Sequence, residues 1–248
     1  MSGHSKWATI KHKKGAADKA RGKLFNKLAR QIEVAAKSGG DIDANPTLRT
    51  AVQKAKAGRM TNDAIDRAIK RGTGDADGGT YESIMYEGYA PGGVALMIDV
   101  LTDNRNRTGS EIRNVFSKLG GSMAEPGAVG WQFGRRGVIL TADGVDEDEL
   151  MLVAIDAGAD DVIQEGDGFR ILTAPSVVYD VKAVLDEAGI EVISADSPMV
   201  SDNLVPITEL NDAKAVLRIL EALEDNDDVQ DVFSNFDISD ELMEMAAS

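Results

Sequence analysis

Residues 138–195 read VILTADGVDEDELMLVAIDAGADDVIQEGDGFRILTAPSVVYDVKAVLDEAGIEVISA, and the pattern of this segment indicates the fold class of the chain. Short runs rich in Val and Ile alternate with two longer segments of helical periodicity, and Gly166-Asp167-Gly168 indicates a hairpin turn. The predicted order is β-α-β-β-α-β, which is the order of a ferredoxin-like domain. The six predicted elements are Val138–Thr141, Asp146–Ala157, Asp161–Glu165, Phe169–Thr173, Ser176–Ala188 and Glu191–Ala195.

Two incomplete α/β pieces flank this stretch, and neither can bury its apolar faces alone. The piece before it is predicted to contain the strands Tyr81–Gly88 and Val94–Leu101, the helix Arg107–Leu119 and the strand Val129–Phe133. The piece after it is predicted to contain the strand Val200–Ile207, the helix Glu209–Glu224 and the strand Val229–Phe236. We therefore expect one discontinuous ferredoxin-like α/β domain, interrupted by an inserted ferredoxin-like α/β domain.

The first seventy residues have a different pattern, typical of a three-helix module. The first helix is predicted at Ala16–Lys37, the second begins at Pro46 with Asn45 as its N-cap, and the third begins near Thr61 and ends at Gly72. The predicted fold class is α+β with three domains. Their predicted bounds are 1–78 for the basic helical domain, 79–134 and 204–240 for the discontinuous domain, 135–203 for the inserted domain and 241–248 for an acidic tail.

The chain has 27 Lys and Arg against 42 Asp and Glu, a formal net charge of −15 that by itself argues against a nucleic-acid partner. The charges are unevenly distributed, however. Residues 1–71 contain 17 basic and 6 acidic side chains, a net charge of +11, whereas residues 72–248 contain 10 basic and 36 acidic ones, a net charge of −26. Such an asymmetry predicts a nucleic-acid contact at the basic end, although a solvated basic surface without a partner is the alternative.

The chain lacks the sequence motifs that are typical of several kinds of enzyme and metal site. The chain has no cysteine, and its two histidines, His4 and His12, have no partners at a metal-ligand spacing. Nucleotide-binding glycine loops and a nucleophile elbow are missing as well. We expect no enzyme activity, no metal, no cofactor, no small-molecule substrate and no membrane contact, and a cytoplasmic location because no signal peptide precedes the first helix. The acidic pairs Asp146–Glu149 and Glu224–Asp228 are interpreted as solvated faces.

The basic module supplies the candidate nucleic-acid-binding residues. Lysines crowd the first residues, where Trp7 and His12 lie among them and could stack on bases. The predicted binding residues are Lys6, Trp7, Lys11, His12, Lys13, Lys14, Lys19, Arg21, Lys23, Lys27, Arg30, Lys54, Lys56, Arg59, Lys70 and Arg71.

A second candidate is an anion site where a strand meets a helix. Asn104, Arg105 and Arg107 offer amide and guanidinium donors beside a helix N-terminus. The alternative is that Asn104 and Thr108 only cap the turn.

Several strings resemble one known family. Residues 3–13, GHSKWATIKHK, closely resemble the start of the YebC family. The resemblance continues through Lys23–Leu28, Asn45–Arg49, Lys54–Lys56, Tyr86–Val94 and Leu101–Thr108, and it covers nearly the whole chain.

The resemblance implies a helical N-terminal domain and two α/β domains, one inserted in the other. It also implies membership of a family of probable transcriptional regulators that bind DNA, related to mitochondrial translational activators of cytochrome c oxidase. Two hypotheses follow: a regulator that binds double-stranded DNA through the basic module, or a translation factor whose basic arm contacts ribosomal RNA. An enzyme with a site between the α/β domains is a third hypothesis, disfavoured by the missing motifs.

Overall fold

The structure is a computed structural model that describes residues 17–76 and 80–247, with the backbone alone for residues 17–21. The helices are α1 (Ala17–Ala36), α2 (Pro46–Ala57), α3 (Asn62–Thr73), α4 (Arg105–Leu119), α5 (Glu147–Asp156), α6 (Val178–Glu187), α7 (Leu210–Glu224) and α8 (Asp240–Ala247). The strands are β1 (Glu82–Ala90), β2 (Val94–Thr102), β3 (Ser122–Ala124), β4 (Phe133–Arg135), β5 (Gly137–Thr141), β6 (Ala159–Glu165), β7 (Gly168–Thr173), β8 (Val192–Asp196), β9 (Met199–Ser201), β10 (Val205–Ile207), β11 (Val229–Ser234) and β12 (Phe236–Ile238).

The chain divides into two compact units. Unit 1 comprises residues 1–133 and 201–248, and unit 2 comprises residues 134–200. The further division of unit 1 into a helical domain and an α/β domain stays a prediction. No described helix is both long and apolar enough to cross a membrane.

Unit 2 has the predicted β-α-β-β-α-β order. Its antiparallel sheet has the strand order β6-β7-β5-β8, which is the order of a ferredoxin-like domain. One cluster of apolar side chains fills the space between the sheet and its helices α5 and α6, and Ile139, Leu150, Ile171 and Leu185 in it are fully buried. Asp146 begins α5 as predicted, because its side chain accepts a hydrogen bond from the Glu149 amide.

The α/β part of unit 1 is a four-stranded antiparallel sheet with the order β11-β2-β1-β3. Helices α4 and α7 contribute to one apolar core with β2, in which Leu96, Ile98, Phe116 and Leu220 are buried. The α+β class is therefore confirmed. This sheet resembles a ferredoxin-like domain in its layers, since four antiparallel strands pack with two helices. Its strand order differs from that of unit 2.

The three N-terminal helices share a separate apolar cluster that contains Leu28, Ile32, Leu48 and Ile65. Asn45 joins the end of α1 to the start of α2. Its side chain accepts from the Leu48 amide at 3.1 Å and donates to the carbonyls of Ala35 and Gly39 at 2.9 and 2.8 Å, which satisfies groups left unpaired at both helix ends.

Gly72 lies inside α3 rather than at its end, contrary to the prediction. A Cβ at this position would lie 2.3 Å from the Glu33 carbonyl oxygen and 2.6 Å from the Ala36 Cβ, so α1 and α3 approach each other closely there. The helix ends one residue later, and Gly74 adopts the left-handed conformation at φ +86°. Thr61 precedes α3 but makes no side-chain capping bond.

Three further elements differ from prediction. The strand predicted at Val129–Phe133 is wrong, since Gly130–Gln132 form a 3₁₀ turn and a strand begins only at Phe133. The single strand predicted at Val200–Ile207 is interrupted, because Ser201 accepts a bond from the Asn203 amide in a tight turn. The acidic tail contains α8, which packs against the main core of unit 1 through the buried Met243.

Candidate nucleic-acid interface

The basic face of α1 is directed at an acidic segment of the same unit. Lys23, Lys27 and Arg30 are four and three residues apart, so they line one side of the helix. The segment opposite them, residues 224–231, begins at the end of α7 and runs into β11. It contains Glu224, Asp225, Asp227, Asp228 and Asp231, and no basic residue.

Each of the three cations on α1 contacts this acidic segment. Lys23 Nζ lies 2.9 Å from Asp225 Oδ1 and 3.1 Å from the Asp225 carbonyl oxygen. Lys27 Nζ donates to the Glu224 carbonyl oxygen at 2.9 Å, which is one of the acceptors that a helix C-terminus leaves unpaired. The face predicted to bind phosphates is thus occupied by backbone carbonyls and carboxylates of the same chain.

Arg30 is the most constrained of these cations. Its Nη1 donates to the Asp227 carbonyl oxygen at 2.8 Å and to Asp228 Oδ1 at 2.9 Å, while its guanidinium carbon lies 5.2 Å from the centre of the Tyr81 ring. Stacking on the ring and pairing with a carboxylate both favour one fixed orientation of the guanidinium. The side chain is 24% exposed.

Asp228 connects this contact to the sheet and to α4. Its side chain is 7% exposed, and Oδ2 accepts from Arg107 Nη2 at 2.6 Å, from Thr108 Oγ1 at 2.6 Å and from Thr102 Oγ1 at 3.1 Å. Burial acts to raise the pKa of Asp228, but the hydrogen bonds from Thr108, Arg107 and Thr102 hold the pKa below its ordinary value of 3.8. The carboxylate is therefore charged and satisfied at neutral pH.

Helix α2 makes a second connection to the acidic segment. Lys54 Nζ lies 3.3 Å from Asp231 Oδ2, and the two side chains are 24% and 36% exposed. Beside this pair, Gln31 Nε2 of α1 lies 3.4 Å from Gln230 Oε1 of β11. The contact between the helices and the acidic segment therefore extends from Glu224 to Asp231.

The remaining predicted residues of the helical module divide into two groups. Arg71 forms an ion pair within the module, in which its Nε lies 3.0 Å from Oε2 of the buried Glu33. Lys56, Arg59 and Lys70 are exposed and form no ion pair among the residues described here. They are the predicted cations that remain available to an external phosphate.

Arg59 has a backbone conformation unusual for its residue type. It lies in the turn between α2 and α3 at φ +62°, in the left-handed region that glycine and asparagine prefer. This conformation costs roughly 1 kcal/mol for a residue with a Cβ. The turn presents Arg59 and the neighbouring Lys56 together at one end of α2.

Eight of the sixteen predicted binding residues have no described side chain. Lys19 and Arg21 belong to α1, for which only the backbone is described at these positions. The six residues of the arm lie outside the described residues: Lys6, Trp7, Lys11, His12, Lys13 and Lys14.

The second candidate site, at the N-terminus of α4, contains carboxylates as well as cations. Asn104 is the N-cap and accepts from the Arg107 amide at 3.1 Å, as the capping alternative predicts. Arg107 pairs with Asp228 and, at 2.9 Å, with Asp103, and the hydrogen bonds to these two carboxylates raise its pKa further. Arg105 is exposed. The positive charge at this helix end is therefore largely neutralised within the chain, which favours the capping interpretation.

Two carboxylates with structural roles in unit 1 are not predicted by any motif in the sequence. The interpretation of Glu224–Asp228 as a solvated face is wrong for Asp228, which is buried among Arg and Thr side chains. The other is Glu87, which accepts from the amides of Gly127, Val129 and Gly130 at 2.6, 2.7 and 2.9 Å. Five acids within eight residues are a visible signal for the first, but the partners of the Asp228 carboxylate lie between 120 and 198 positions away in sequence.

Metal binding has no support in the described part of the chain. No group of three or more His, Cys, Asp or Glu side chains there could hold a metal ion. His4 and His12 lie outside the described residues.

Comparison with known proteins covers nearly the whole chain. Residues 5–75 match the family model of the TACO1/YebC protein N-terminal domain, and residues 81–236 match that of the TACO1/YebC second and third domain.

Two similar relatives, from Halothermothrix orenii and Rubrobacter xylanophilus, are each named probable transcriptional regulatory protein. They are 55% and 56% identical to this chain, with 98% of each chain covered. The crystal structure of a conserved hypothetical protein from Aquifex aeolicus superposes with a TM-score of 0.78 at 43% identity, over 90% of this chain and 93% of the other.

Proposed function

This chain belongs to the TACO1/YebC family, and from that premise we propose that it is a non-enzymatic regulator of gene expression that binds DNA through its basic N-terminal part. Its relatives are named probable transcriptional regulatory proteins, which supports a regulator role. The observation that carries the proposal is the charge separation, +11 over residues 1–71 against −26 over the rest. Contact with a polyanion is favourable only at the basic end.

The ion pairs and hydrogen bonds that the helical module makes within the chain reduce the number of cations proposed to contact a nucleic acid directly. The arm residues Lys6–Lys14 and the exposed Lys56, Arg59 and Lys70 are proposed to contact phosphates directly. Lys23, Lys27, Arg30 and Lys54 are already paired within the chain, so they can contribute only after those contacts are broken. The proposed interface is thus smaller than the count of basic residues indicates.

Helices α2 and α3 resemble a helix-turn-helix in length, but the charge of α3 argues against insertion into the major groove. Recognition helices contact bases through their N-terminal residues. At that end α3 exposes Asp63 and Asp66, which would repel phosphates on either side of a groove. The proposed contact is therefore with the backbone of the nucleic acid rather than with base edges.

The acidic N-terminal end of α3 also supports the second candidate, a translation factor that binds ribosomal RNA. Folded RNA is recognised by its shape and by its phosphates and 2′-hydroxyl groups, for which a base-reading helix is not needed. A basic arm with one tryptophan suits irregular RNA as well as duplex DNA.

Titration of the full chain with a fluorescent 20-base-pair DNA duplex and with ribosomal RNA fragments, across a series of salt concentrations, tests the proposal. The variant Lys11→Ala/Lys13→Ala/Lys14→Ala should bind more weakly, with a salt slope flatter by up to about three units, because each lost phosphate contact removes about one released counterion. A matched control, Arg113→Ala/Lys118→Ala/Lys214→Ala, removes three cations from the acidic body and should leave the slope unchanged.

The outcomes separate the candidates. Tighter binding to duplex at equal salt supports the DNA regulator, and tighter binding to ribosomal RNA supports the translation factor. No salt-dependent binding to either polymer below about 0.2 M salt would overturn both.

A further inference from the structure

We propose that the acidic segment, residues 224–231, is an internal substitute for nucleic-acid phosphates that closes the basic face of α1 and α2 until a nucleic acid displaces it. This inference rests on the proposed function, because it describes how that interface is regulated. The basic face would then have two states, one covered by the acidic segment and one open, and the acidic segment would compete with the nucleic acid for the same cations.

The acceptors that the acidic segment offers have the same chemistry as phosphate oxygens. Lys23, Lys27, Arg30 and Lys54 each contact oxygen acceptors of the segment, which are carboxylates of Asp225, Asp228 and Asp231 and carbonyls at the end of α7 and in the following loop. Phosphate oxygens are acceptors of the same kind and satisfy the same ammonium and guanidinium groups. A nucleic acid can therefore replace the segment without leaving these cations unpaired.

The contact between the helices and the acidic segment is polar. Its side chains at the edges are partly solvated, with Lys23 at 34% and Asp225 at 73% exposed, and Lys54 and Asp231 at 24% and 36%. The helices have their own apolar cluster, and the sheet has another. Separation would therefore break ion pairs and hydrogen bonds but would leave both cores intact, and exposed ion pairs are individually weak.

Asp228 keeps partners on the sheet side of the contact. Arg30 joins Asp228 and Tyr81, and Asp228 is held in turn by Arg107, Thr102 and Thr108. This network stays with the sheet when Arg30 leaves, because Arg107 still pairs with Asp228. The charge of Asp228 is therefore still balanced by Arg107 after Arg30 has moved away.

The test uses the double variant Asp225→Asn/Asp231→Asn, which weakens the outer contacts and retains Asp228. The apparent dissociation constant equals the intrinsic one divided by the open fraction, so the variant should bind the 20-base-pair duplex about three- to tenfold more tightly at low salt. Its salt slope should be steeper by about one to two units, because fewer internal carboxylates take up counterions when the face opens.

The matched control is Asp143→Asn/Asp167→Asn, which makes the same change of net charge at two exposed positions in unit 2. A gain in affinity equal to that of the control would overturn the inference, because it would reflect net charge alone. Unchanged affinity and slope in Asp225→Asn/Asp231→Asn would overturn it while leaving the proposed function standing. Absence of binding by every variant would overturn both.

A distance measurement checks the movement itself. The chain has no cysteine, so Asn26→Cys on α1 and Glu221→Cys on α7 would carry the only two thiols for spin labels. We expect one short distance in the free protein and a longer population when duplex is added, with more of the longer population in Asp225→Asn/Asp231→Asn before any duplex is present. A distribution that stays unchanged while duplex is bound would show that the segment does not move aside.

Discussion

At the scale of single residues, Asp228 has the largest structural role of any carboxylate described here. It accepts hydrogen bonds from Arg30, Arg107, Thr102 and Thr108, which belong to different parts of unit 1. A buried charge is stable only when it is paired and hydrogen-bonded, and here both requirements are met. Loss of the charge should therefore leave two guanidinium groups poorly compensated.

Replacement Asp228→Asn should lower the free energy of unfolding by about 2–3 kcal/mol, since charged hydrogen bonds to a buried acceptor are lost. Urea unfolding followed by circular dichroism measures this change. Asp227→Asn removes the same charge from an exposed side chain whose carbonyl, and not its carboxylate, contacts Arg30, so it should change stability by less than about 0.5 kcal/mol. Equal losses in the two variants would contradict the role assigned to Asp228.

Glu87 gives stability a defined dependence on pH. Burial acts to raise its pKa, but the amides of Gly127, Val129 and Gly130 lower it below the ordinary value of 4.5. A carboxylate with a lowered pKa in the folded state stabilises the fold above its unfolded pKa, and this contribution is lost as the pH falls through the folded pKa.

Unfolding free energies of the wild type and of Glu87→Gln, measured from pH 7 down to pH 3, should therefore converge. The variant should be less stable at pH 7, where the charged carboxylate accepts three amide bonds, and the difference should shrink as the wild-type carboxylate becomes protonated. A difference that stays constant over this range would show that the charge of Glu87 does not stabilise the 125–130 loop.

At the scale of elements, Gly72 fixes how closely α3 packs against α1. Alanine normally stabilises a helix by up to about 1 kcal/mol relative to glycine. At Gly72 a methyl group would overlap the Glu33 carbonyl and Ala36, so Gly72→Ala should instead destabilise by about 1–3 kcal/mol. Gly22→Ala in α1, where nothing lies within 4 Å, should stabilise, and thermal unfolding of both variants measures the two signs.

Helix α8 contributes to the core although its sequence is acidic. Met243 is 1% exposed, so Met243→Ala should cost about 2–4 kcal/mol. Met245 on the same helix is 51% exposed, and its replacement by Ala should have a much smaller effect. Denaturant midpoints that fall equally in the two variants would contradict the packing of α8 on the core.

The predictions that agree with the structure concern helix ends, which are determined by residues close together in the sequence. Asn45 with Pro46, and Asp146 with Glu149, begin their helices as capping chemistry requires. The predicted strand at Val129–Phe133 is wrong because the amide of the buried Val129 donates to the Glu87 carboxylate, so the apolar character of Val129 reflects tertiary burial rather than a strand. The prediction that Gly72 ends α3 fails for a similar reason, since nothing in the local sequence shows that a neighbouring helix packs against this glycine.

At the scale of the molecule, unit 2 should fold alone. Residues 134–200 have their own apolar core and a complete four-stranded sheet. The excised fragment should show one cooperative urea transition. It has 15 acidic and 4 basic residues, so it should not bind the duplex that the full chain binds. A gradual, non-cooperative transition would show that unit 2 depends on the rest of the chain.

The α+β class, the ferredoxin-like order of residues 138–195 and the basic character of the first seventy-one residues follow from the sequence, because periodicity, capping and charge are local properties. Which of the described basic residues are paired within the chain depends on the tertiary structure. Lys23, Arg30 and Lys54 meet Asp225, Asp228 and Asp231 across about 200 residues of chain, for example |i−j| = 202 for Lys23 and Asp225. Charge attracts through space, and the fold alone determines which distant residues are neighbours.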